Sequence, residues 1–215
     1  MKHVLLLLLT VLVAAAATAW IRYGGGKPYP DLTGTPVLQQ ETLEEVLSYP
    51  LPIGNVAVSE TGRVFFTVHP EARPKGNKLL EFIDGAAVPF PGTRQQEELF
   101  DTVLGVAIDR QGNIWTIDHG NQGIRSARLL AFELDSGKVI HDHSLPAEIA
   151  PAGSFLQDLQ VSADGRTIII ADASFWRKRP AIVVYDVESA TARRVLESHP
   201  SVSAEKFVIA HGGDE

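Results

Sequence analysis

The sequence predicts an all-β chain folded as a β-propeller, because one strand–turn–strand pattern occurs three times. The copies begin at Gly54, Leu104 and Leu156 and read GNVAVSETGRVFFTVHP, LGVAIDRQGNIWTIDHG and LQDLQVSADGRTIIIADAS. Their turn glycines are residues 62, 112 and 165, so successive copies lie 50 and 53 residues apart. A second pair of apolar segments follows each copy. A repeat of about 50 residues with four short strands is typical of a propeller blade.

The composition agrees with a β-rich globular chain and argues against nucleic acid as a partner. The 215 residues are 45% hydrophobic and 21% charged, with 18 glycines and 13 prolines available for turns. A formal net charge of −7 leaves no general surface for phosphate groups. Because there is no cysteine, the sequence excludes disulfides and a thiol nucleophile.

Residues 1–19 are predicted to be a signal peptide. Lys2 precedes an apolar run from Val4 to Ala17, and Ala17-Thr18-Ala19 gives the small-x-small pattern of a cleavage site. The run is shorter than the roughly 20 residues that a membrane-spanning helix needs. We therefore expect cleavage after Ala19 and a secreted or periplasmic protein. An uncleaved membrane anchor, in which Trp20 and Ile21 extend the helix, is the alternative.

Residues 20–53 are predicted to form a tether and a lead-in to the repeats. The glycine-rich stretch at residues 24–27 ends at Pro28, where a phosphate-binding loop would need Ser or Thr, so it indicates a flexible tether. The segment ETLEEVLSY at residues 41–49 fits either a short helix or an outer strand.

Residues 54–215 are predicted to be a partial propeller with blades near residues 54–92, 104–145 and 156–197. Closed propellers typically have four to eight blades. Three blades would leave two unpaired radial edges, and repeat arrays depend on contacts between neighbours. We therefore expect either self-association or a missing C-terminal half.

Propeller geometry predicts which side chains share one face. The innermost strand of a blade starts on the face at which the second strand ends, and the tight turn between them lies on the opposite face. We call the first of these the loop face. Its predicted members are the polar and glycine positions at strand starts and ends: Gly54, Asn55, Gly105, Gln157, Asp158, His69, Asp118, His119, Asp172 and Ser174.

Four of these residues suggest an oxygen-rich site at the mouth of the central channel. Asp158 lies between apolar neighbours where a carboxylate should meet solvent, a partner or a cation, and Asn55 has a similar position. With Asp118 and Asp172 nearby, we predict that Asn55 and Asp158 hold Ca²⁺ or another divalent cation. The alternative for Asp118 and Asp172 is that they cap the second strands by binding loop amides.

The histidines give weaker evidence for a functional site. His69 and His119 both follow their turn glycines by seven residues, and His119 is the candidate proton carrier, with Asp158 as its catalytic partner. Loop histidines also serve simply as hydrogen-bonding groups. His141 and His143 point to the same side of a predicted outer strand, where such a pair can bind metal adventitiously.

One loop of the predicted loop face differs from the others. Residues 173–180 place Phe175 and Trp176 beside three cations. The two rings could cover a flat or amine-bearing ligand, with Gln157, Asn55, Asp118 and Asp172 as polar contacts. A solvated loop with incidental aromatic residues is the alternative.

Five segments, among them GNVAVSETGRVFFTVHPEARP, DTVLGVAIDRQGNIWTIDHG and AIVVYDVESATARRVLESHPSV, resemble the bacterial branch of the major royal jelly protein/yellow family. The resemblance spans most of Gly54–Val202. Members of the family are six-bladed propellers, so it implies that about three C-terminal blades are missing. The family includes proteins associated with dopachrome conversion and secreted insect proteins that bind small amines or serve as nutrition. A fold with such varied functions does not by itself select one.

The sequence is therefore interpreted as a secreted propeller that binds a small molecule at the channel mouth, with catalysis undetermined. One alternative is a metal-dependent hydrolase that resembles the gluconolactonase propellers. Against it, Gly54, Leu104 and Gln157 stand where metal ligands would be needed. The other is a dopachrome-type tautomerase that uses His119 and Asp158.

Overall fold

The computed structural model describes residues 2–24, 26–30, 32, 34–35, 37–205 and 207–208, and for Gln40, Phe207 and Val208 it describes the backbone alone. The described chain divides into two units, residues 44–203 and the remainder. The first holds the repeats, and the second holds the N-terminal segment with the described C-terminal residues.

The N-terminal segment is dominated by one long apolar helix. Helix α1 spans Lys2–Tyr23, and its residues from Val4 to Ile21 carry no charge. At about 1.5 Å per residue its 22 residues are long enough to cross the hydrocarbon core of a bilayer. A signal peptide has the same properties, so the helix suits either a signal peptide or a membrane anchor. In the same unit, strand β1 (Lys27–Pro28) pairs in parallel with β14 (Phe207–Val208).

The repeat unit consists of three four-stranded antiparallel sheets in which consecutive strands are neighbours. Blade 1 comprises β2 (Ile53–Val58), β3 (Val64–Val68), β4 (Leu79–Ile83) and β5 (Ala86–Pro89). Blade 2 comprises β6 (Val103–Ile108), β7 (Asn113–Asp118), β8 (Ala127–Glu133) and β9 (Val139–Leu145). Blade 3 comprises β10 (Leu156–Val161), β11 (Thr167–Asp172), β12 (Ala181–Asp186) and β13 (Thr191–Val195). The prediction of three propeller blades is confirmed.

Apolar cores fill the two seams between the blades. The seam of blades 1 and 2 buries residues such as Phe65, Phe132 and Leu130, and the seam of blades 2 and 3 buries Ile170 and Tyr185 among others. Complete burial of a Leu or Phe side chain contributes roughly 1.5–3 kcal/mol. Because the innermost strands β2, β6 and β10 are successive neighbours, these seams fix how the starts of those strands face one another.

The lead-in differs from both predicted forms. A 3₁₀ helix spans Gln40–Thr42, and residues 43–49 form neither a strand nor an α-helix. Within the repeat unit, Leu47 and Tyr49 pack against the outer face of blade 1, where the Tyr49 ring lies 5.1 Å from that of Phe66. Burial of these two side chains thus holds the segment without backbone pairing. The segment therefore follows neither the helical nor the strand periodicity.

A β-bulge interrupts the innermost strand of every blade at the same place. The register shifts between Ile53 and Val56 in blade 1, between Val103 and Gly105 in blade 2, and between Leu156 and Asp158 in blade 3. In each case the innermost strand carries extra residues relative to the second strand. Such bulges redirect side chains, and here they act on the residues that begin each innermost strand at the loop face.

Candidate functional site

The pair Asn55 and Asp158 meets across the innermost strands. The amide Nδ2 of Asn55 donates to Oδ1 of Asp158 at 2.9 Å, although the two residues are 103 positions apart in the chain. Asn55 belongs to blade 1 and Asp158 to blade 3, so the contact passes over blade 2. There the equivalent bulge residue is Gly105, and a Cβ on it would lie 2.9 Å from the Cα of Asp158. The glycine therefore makes room for the contact.

The oxygens of this pair are largely engaged with protein donors. The Asn55 Oδ1 accepts from the backbone N–H of Val56 at 2.7 Å, and Oδ1 of Asp158 accepts also from the N–H of Leu159 at 2.7 Å. The second carboxylate oxygen of Asp158, Oδ2, takes part in neither of these bonds. Among the described residues no cluster of three or more acidic, histidine or cysteine side chains could hold a metal ion. Most of the six to eight oxygens that calcium takes would have to come from outside the pair.

Asp118 is buried and its carboxylate organises the loop face of blade 2. Its Oδ2 accepts from the backbone N–H groups of Asp101 and Thr102 at 2.6 and 2.8 Å. Its Oδ1 accepts from the Thr102 hydroxyl and from the N–H of Gly120. Four donors on one carboxylate correspond to the capping role that was the alternative prediction.

Asp172 has the equivalent place in blade 3 and is also buried. Its Oδ1 accepts from the backbone N–H groups of Phe155 and Ser174 at 2.7 and 2.9 Å. Its Oδ2 accepts from Nη1 of Arg194 at 2.7 Å, in an ion pair where both side chains are at most 10% exposed. Arg194 lies on the outermost strand, so the arginine ties that strand to the loop face of blade 3.

His119 is buried, and one of its two ring nitrogens has a partner. Nδ1 accepts from the backbone N–H of Gln122 at 3.0 Å, which leaves the proton of the neutral ring on Nε2. Nε2 is buried and has no hydrogen-bond partner among the described residues. Burial lowers the pKa of His119, although the nearby carboxylates of Asp118, Glu71 and Asp101 act in the opposite direction. Among the described residues no hydrogen bond joins His119 to Asp158, whose carboxylate bonds to Asn55 and Leu159.

A left-handed turn follows His119. Gly120, Asn121, Gln122 and Gly123 all have positive φ, between 51° and 70°. Two of them carry side chains, for which this conformation costs roughly 1–2 kcal/mol per residue. The turn is held by the bonds from Asp118 and His119 and by the Thr102 hydroxyl, which accepts from the N–H of Asn121. Strain of this kind, fixed by several surrounding bonds, is typical of binding sites.

The left-handed turn lines a groove of about 640 Å³ on the loop face. Glu71 and Asp101 supply carboxylates, Arg73 and Arg125 supply cations, and the ring of Phe175 supplies an apolar surface. The charges are partly paired, since Gln122 Nε2 donates to Glu71 at 2.7 Å and Arg125 contacts Asp101 at 2.9 Å. The second carboxylate oxygen of Asp101 is buried and has no hydrogen-bond partner in the described part of the chain.

An aromatic series connects this groove with His119. The His119 ring lies 4.9 Å from the ring of Phe155, which lies 5.3 Å from Phe175, and Phe175 lies 5.7 Å from Trp176. Phe175 is 54% exposed and Trp176 is 37% exposed. Of the predicted contact residues, Phe175 thus lies at the groove. Gln157 is exposed in the bulge of β10, beside Asp158.

Sequence reasoning missed the polar residues of this groove. Glu71, Asp101, Gln122 and Arg125 lie in the segments that connect strands, where charged and amide side chains are ordinary. The signal that could have found them is the paired glycines around Asn121 and Gln122, which permit a left-handed turn.

The fold defines the class of protein as a β-propeller. Its three sheets are joined through neighbouring innermost strands, and the loops on one face form a groove. The family model described as major royal jelly protein matches residues 101–211, which is more than half of the chain. The chain belongs to the major royal jelly protein family. A search of curated proteins gives no match.

Solved propellers resemble the chain only distantly. The Dos1 propeller has 13% sequence identity and a TM-score of 0.45, over 66% of this chain and 34% of that one. A structure described as a putative oxidoreductase (glucose dehydrogenase) from a Thermus species has 13% identity and a TM-score of 0.45, over 67% and 46%. A gluconolactonase from Xanthomonas campestris has 16% identity and a TM-score of 0.42, over 67% and 47%. The chain thus spans less than half the length of each of these structures.

Proposed function

We propose that this chain is an exported or membrane-anchored propeller protein that binds a small aromatic amine in the groove of the loop face. The observation that carries the proposal is the combination of Asp101 and Phe175 on one groove of about 640 Å³. A volume of this size accommodates a small molecule. The apolar helix α1 is the feature that supports export or anchoring.

The chemistry of the groove favours a ligand that is both cationic and flat. Glu71 and Asp101 offer carboxylate oxygens to an ammonium group, and such charge-assisted hydrogen bonds are stronger than neutral ones. The half-exposed ring of Phe175 offers a face for stacking and for cation–π contact. The strained turn at residues 120–123 is already held in one conformation, so binding need not order it.

The proposal is tested by calorimetric titration of the full-length chain with tyramine as the probe. We expect saturable binding that Asp101→Asn and Phe175→Ala each weaken by about tenfold, since a partly desolvated charge contact or a stacked ring contributes roughly 1–2 kcal/mol. Val88→Ala removes an exposed apolar side chain of blade 1 that lies outside the groove and is the matched control. Absence of saturation, or equal weakening by all three variants, would contradict the proposal.

Calcium at Asn55 and Asp158 is the second candidate, and it depends on the second carboxylate oxygen of Asp158, which does not take part in the bonds to Asn55 and Leu159. A divalent ion there would serve a lactonase-like hydrolase by polarising a carbonyl group. Tautomerisation by His119 has less support, because no hydrogen bond joins the buried ring to Asp158 in the described part of the chain.

A further inference from the structure

A compact group of imidazole and aromatic rings lies away from the loop face, at the seam of blades 2 and 3. In the register of blade 2, His141 lies opposite Ala131 and His143 lies opposite Leu129. Ala131 and Leu129 belong to the core between blades 2 and 3, so both histidines point towards blade 3. The two rings are 6.3 Å apart between centroids, with an angle of 30° between their planes.

Blade 3 contributes Tyr185 to the same group. Its hydroxyl lies 2.9 Å from Nε2 of His141, and its ring lies 5.0 Å from the ring of His143. Tyr185 is fully buried, whereas both histidines are half-buried. The buried tyrosine is therefore held in place by packing, and both imidazole rings contact it.

His141 is held on a second side by Trp115. The ring centroids of Trp115 and His141 are 5.3 Å apart, and the indole N–H of Trp115 donates to Asp109 at 2.8 Å. Two contacts with different elements thus restrict the His141 ring. When its Nε2–H donates to Tyr185, the lone pair of Nδ1 is free to bind a ligand. Neither Nδ1 of His141 nor either ring nitrogen of His143 has a hydrogen-bond partner in the described chain.

We propose that His141 and His143 form a binding site for a first-row divalent transition-metal ion such as Zn²⁺, with Tyr185 as the residue that orients His141. An imidazole nitrogen binds zinc at about 2.0–2.1 Å, which places the ring centroid roughly 3.2 Å from the ion. At the tetrahedral angle that zinc prefers, two imidazoles on one ion have centroids roughly 5 Å apart. The observed 6.3 Å is wider than this, so zinc binding requires the His143 ring to turn towards His141. The remaining positions are taken by water, and the site lies outside the groove of the proposed function.

Burial favours the neutral form of His141, which is the form that can coordinate a metal. Burial lowers the pKa of His141, and the neighbouring imidazole of His143 lowers it further. Asp142 opposes that shift, but its carboxylate is held by Arg128 on the other side of the strand. Imidazole must be neutral to coordinate a metal, so binding should weaken as the pH falls below the ordinary histidine range.

The experiment is a Zn²⁺ titration of the untagged full-length chain, followed by calorimetry and by the melting temperature. We expect saturable binding and a rise in melting temperature, because the folded chain alone presents both rings together. His143→Gln should remove most of both signals. Tyr185→Phe keeps the packed ring, and it should lower zinc affinity by about tenfold, as loss of an orienting partner does.

His199→Gln is the matched control, since His199 is an exposed histidine that caps the 3₁₀ helix at residues 200–202. It should leave zinc binding unchanged. Absence of a zinc signal in the wild type overturns the site, and so does a zinc signal that survives His143→Gln or is lost equally in His199→Gln. These results do not depend on tyramine binding, so the two proposals fail or succeed separately.

Discussion

At the scale of single residues, the left-handed turn depends on an unprotonated ring nitrogen of His119. Its Nδ1 must be unprotonated to accept the N–H of Gln122, and its Nε2 is buried beside Phe155. A proton on Nδ1 would therefore break a bond that holds the left-handed turn, and it would place a charge in a buried site.

We predict that the free energy of unfolding decreases as the pH falls through and below about 6.5, the ordinary pKa of histidine. Because burial lowers the pKa of His119 in the folded state, the unfolded chain binds this proton first. The stabilisation is fully present above that pH, and its loss approaches a slope of about 1.4 kcal/mol per pH unit for one proton. The pKa of His141 is lowered too and adds to the slope.

Urea unfolding between pH 5 and 8 measures this effect. His119→Gln should reduce the slope, whereas the control His69→Gln should retain it, because His69 is the half-buried residue at the matching position of blade 1. An equal slope in the wild type and in His119→Gln would contradict the assignment.

Asp158 carries the second prediction at this scale. If Asn55 and Asp158 hold calcium, calcium should raise the melting temperature of the wild type by mass action. Asp158→Asn should remove most of that rise. A thermal titration of both proteins decides the matter, since an unchanged wild-type melting temperature at millimolar calcium would reject the site.

At the scale of elements, the strands were predictable and the loop face was less so. Turn glycines and apolar alternation located all three innermost hairpins, because that periodicity follows directly from burial in a sheet. The partner of Asp172 was not predictable, since Arg194 comes from the outermost strand of the blade. The charges of the groove escaped prediction for a similar reason, because their arrangement depends on how successive blades pack.

The left-handed turn allows a prediction with an internal control. Gly123 has φ +70°, and a Cβ there would lie 2.4 Å from the carbonyl oxygen of Pro151. Gly112 has φ +80°, but a Cβ there would have no atom of the described residues within 4 Å. Gly112→Ala should therefore cost about 1 kcal/mol from backbone strain alone, and Gly123→Ala about 3 kcal/mol or more. Urea unfolding at pH 7 measures both, and equal costs would show that the close contact at Gly123 is relieved easily.

At the scale of the whole molecule, the outward faces of blades 1 and 3 carry exposed apolar side chains among the described residues. Val56 and Val58 are exposed on the side of blade 1 that faces away from blade 2, and Ile169 is exposed on the corresponding side of blade 3. These are the faces on which a propeller normally packs its neighbouring blades.

We expect the full-length chain to self-associate through these faces, because exposed apolar patches drive association. Val58→Asp combined with Ile169→Asp should shift the population towards monomer in light scattering after size-exclusion chromatography. Ala152→Asp combined with Ala163→Asp adds the same two charges at exposed loop positions and is the control. A wild-type monomer at all concentrations would contradict the expectation.

The bulge shared by the three innermost strands suggests how such a chain can diverge. Its backbone geometry repeats in every blade, but the residue at the bulge differs. Blade 1 has the amide of Asn55, blade 2 has Gly105 without a side chain, and blade 3 has the carboxylate of Asp158. Duplicated blades can therefore exchange one residue at this position without altering the ladder around it. In that case the repeat preserves a scaffold, and the side chains at the starts of the innermost strands can change one blade at a time.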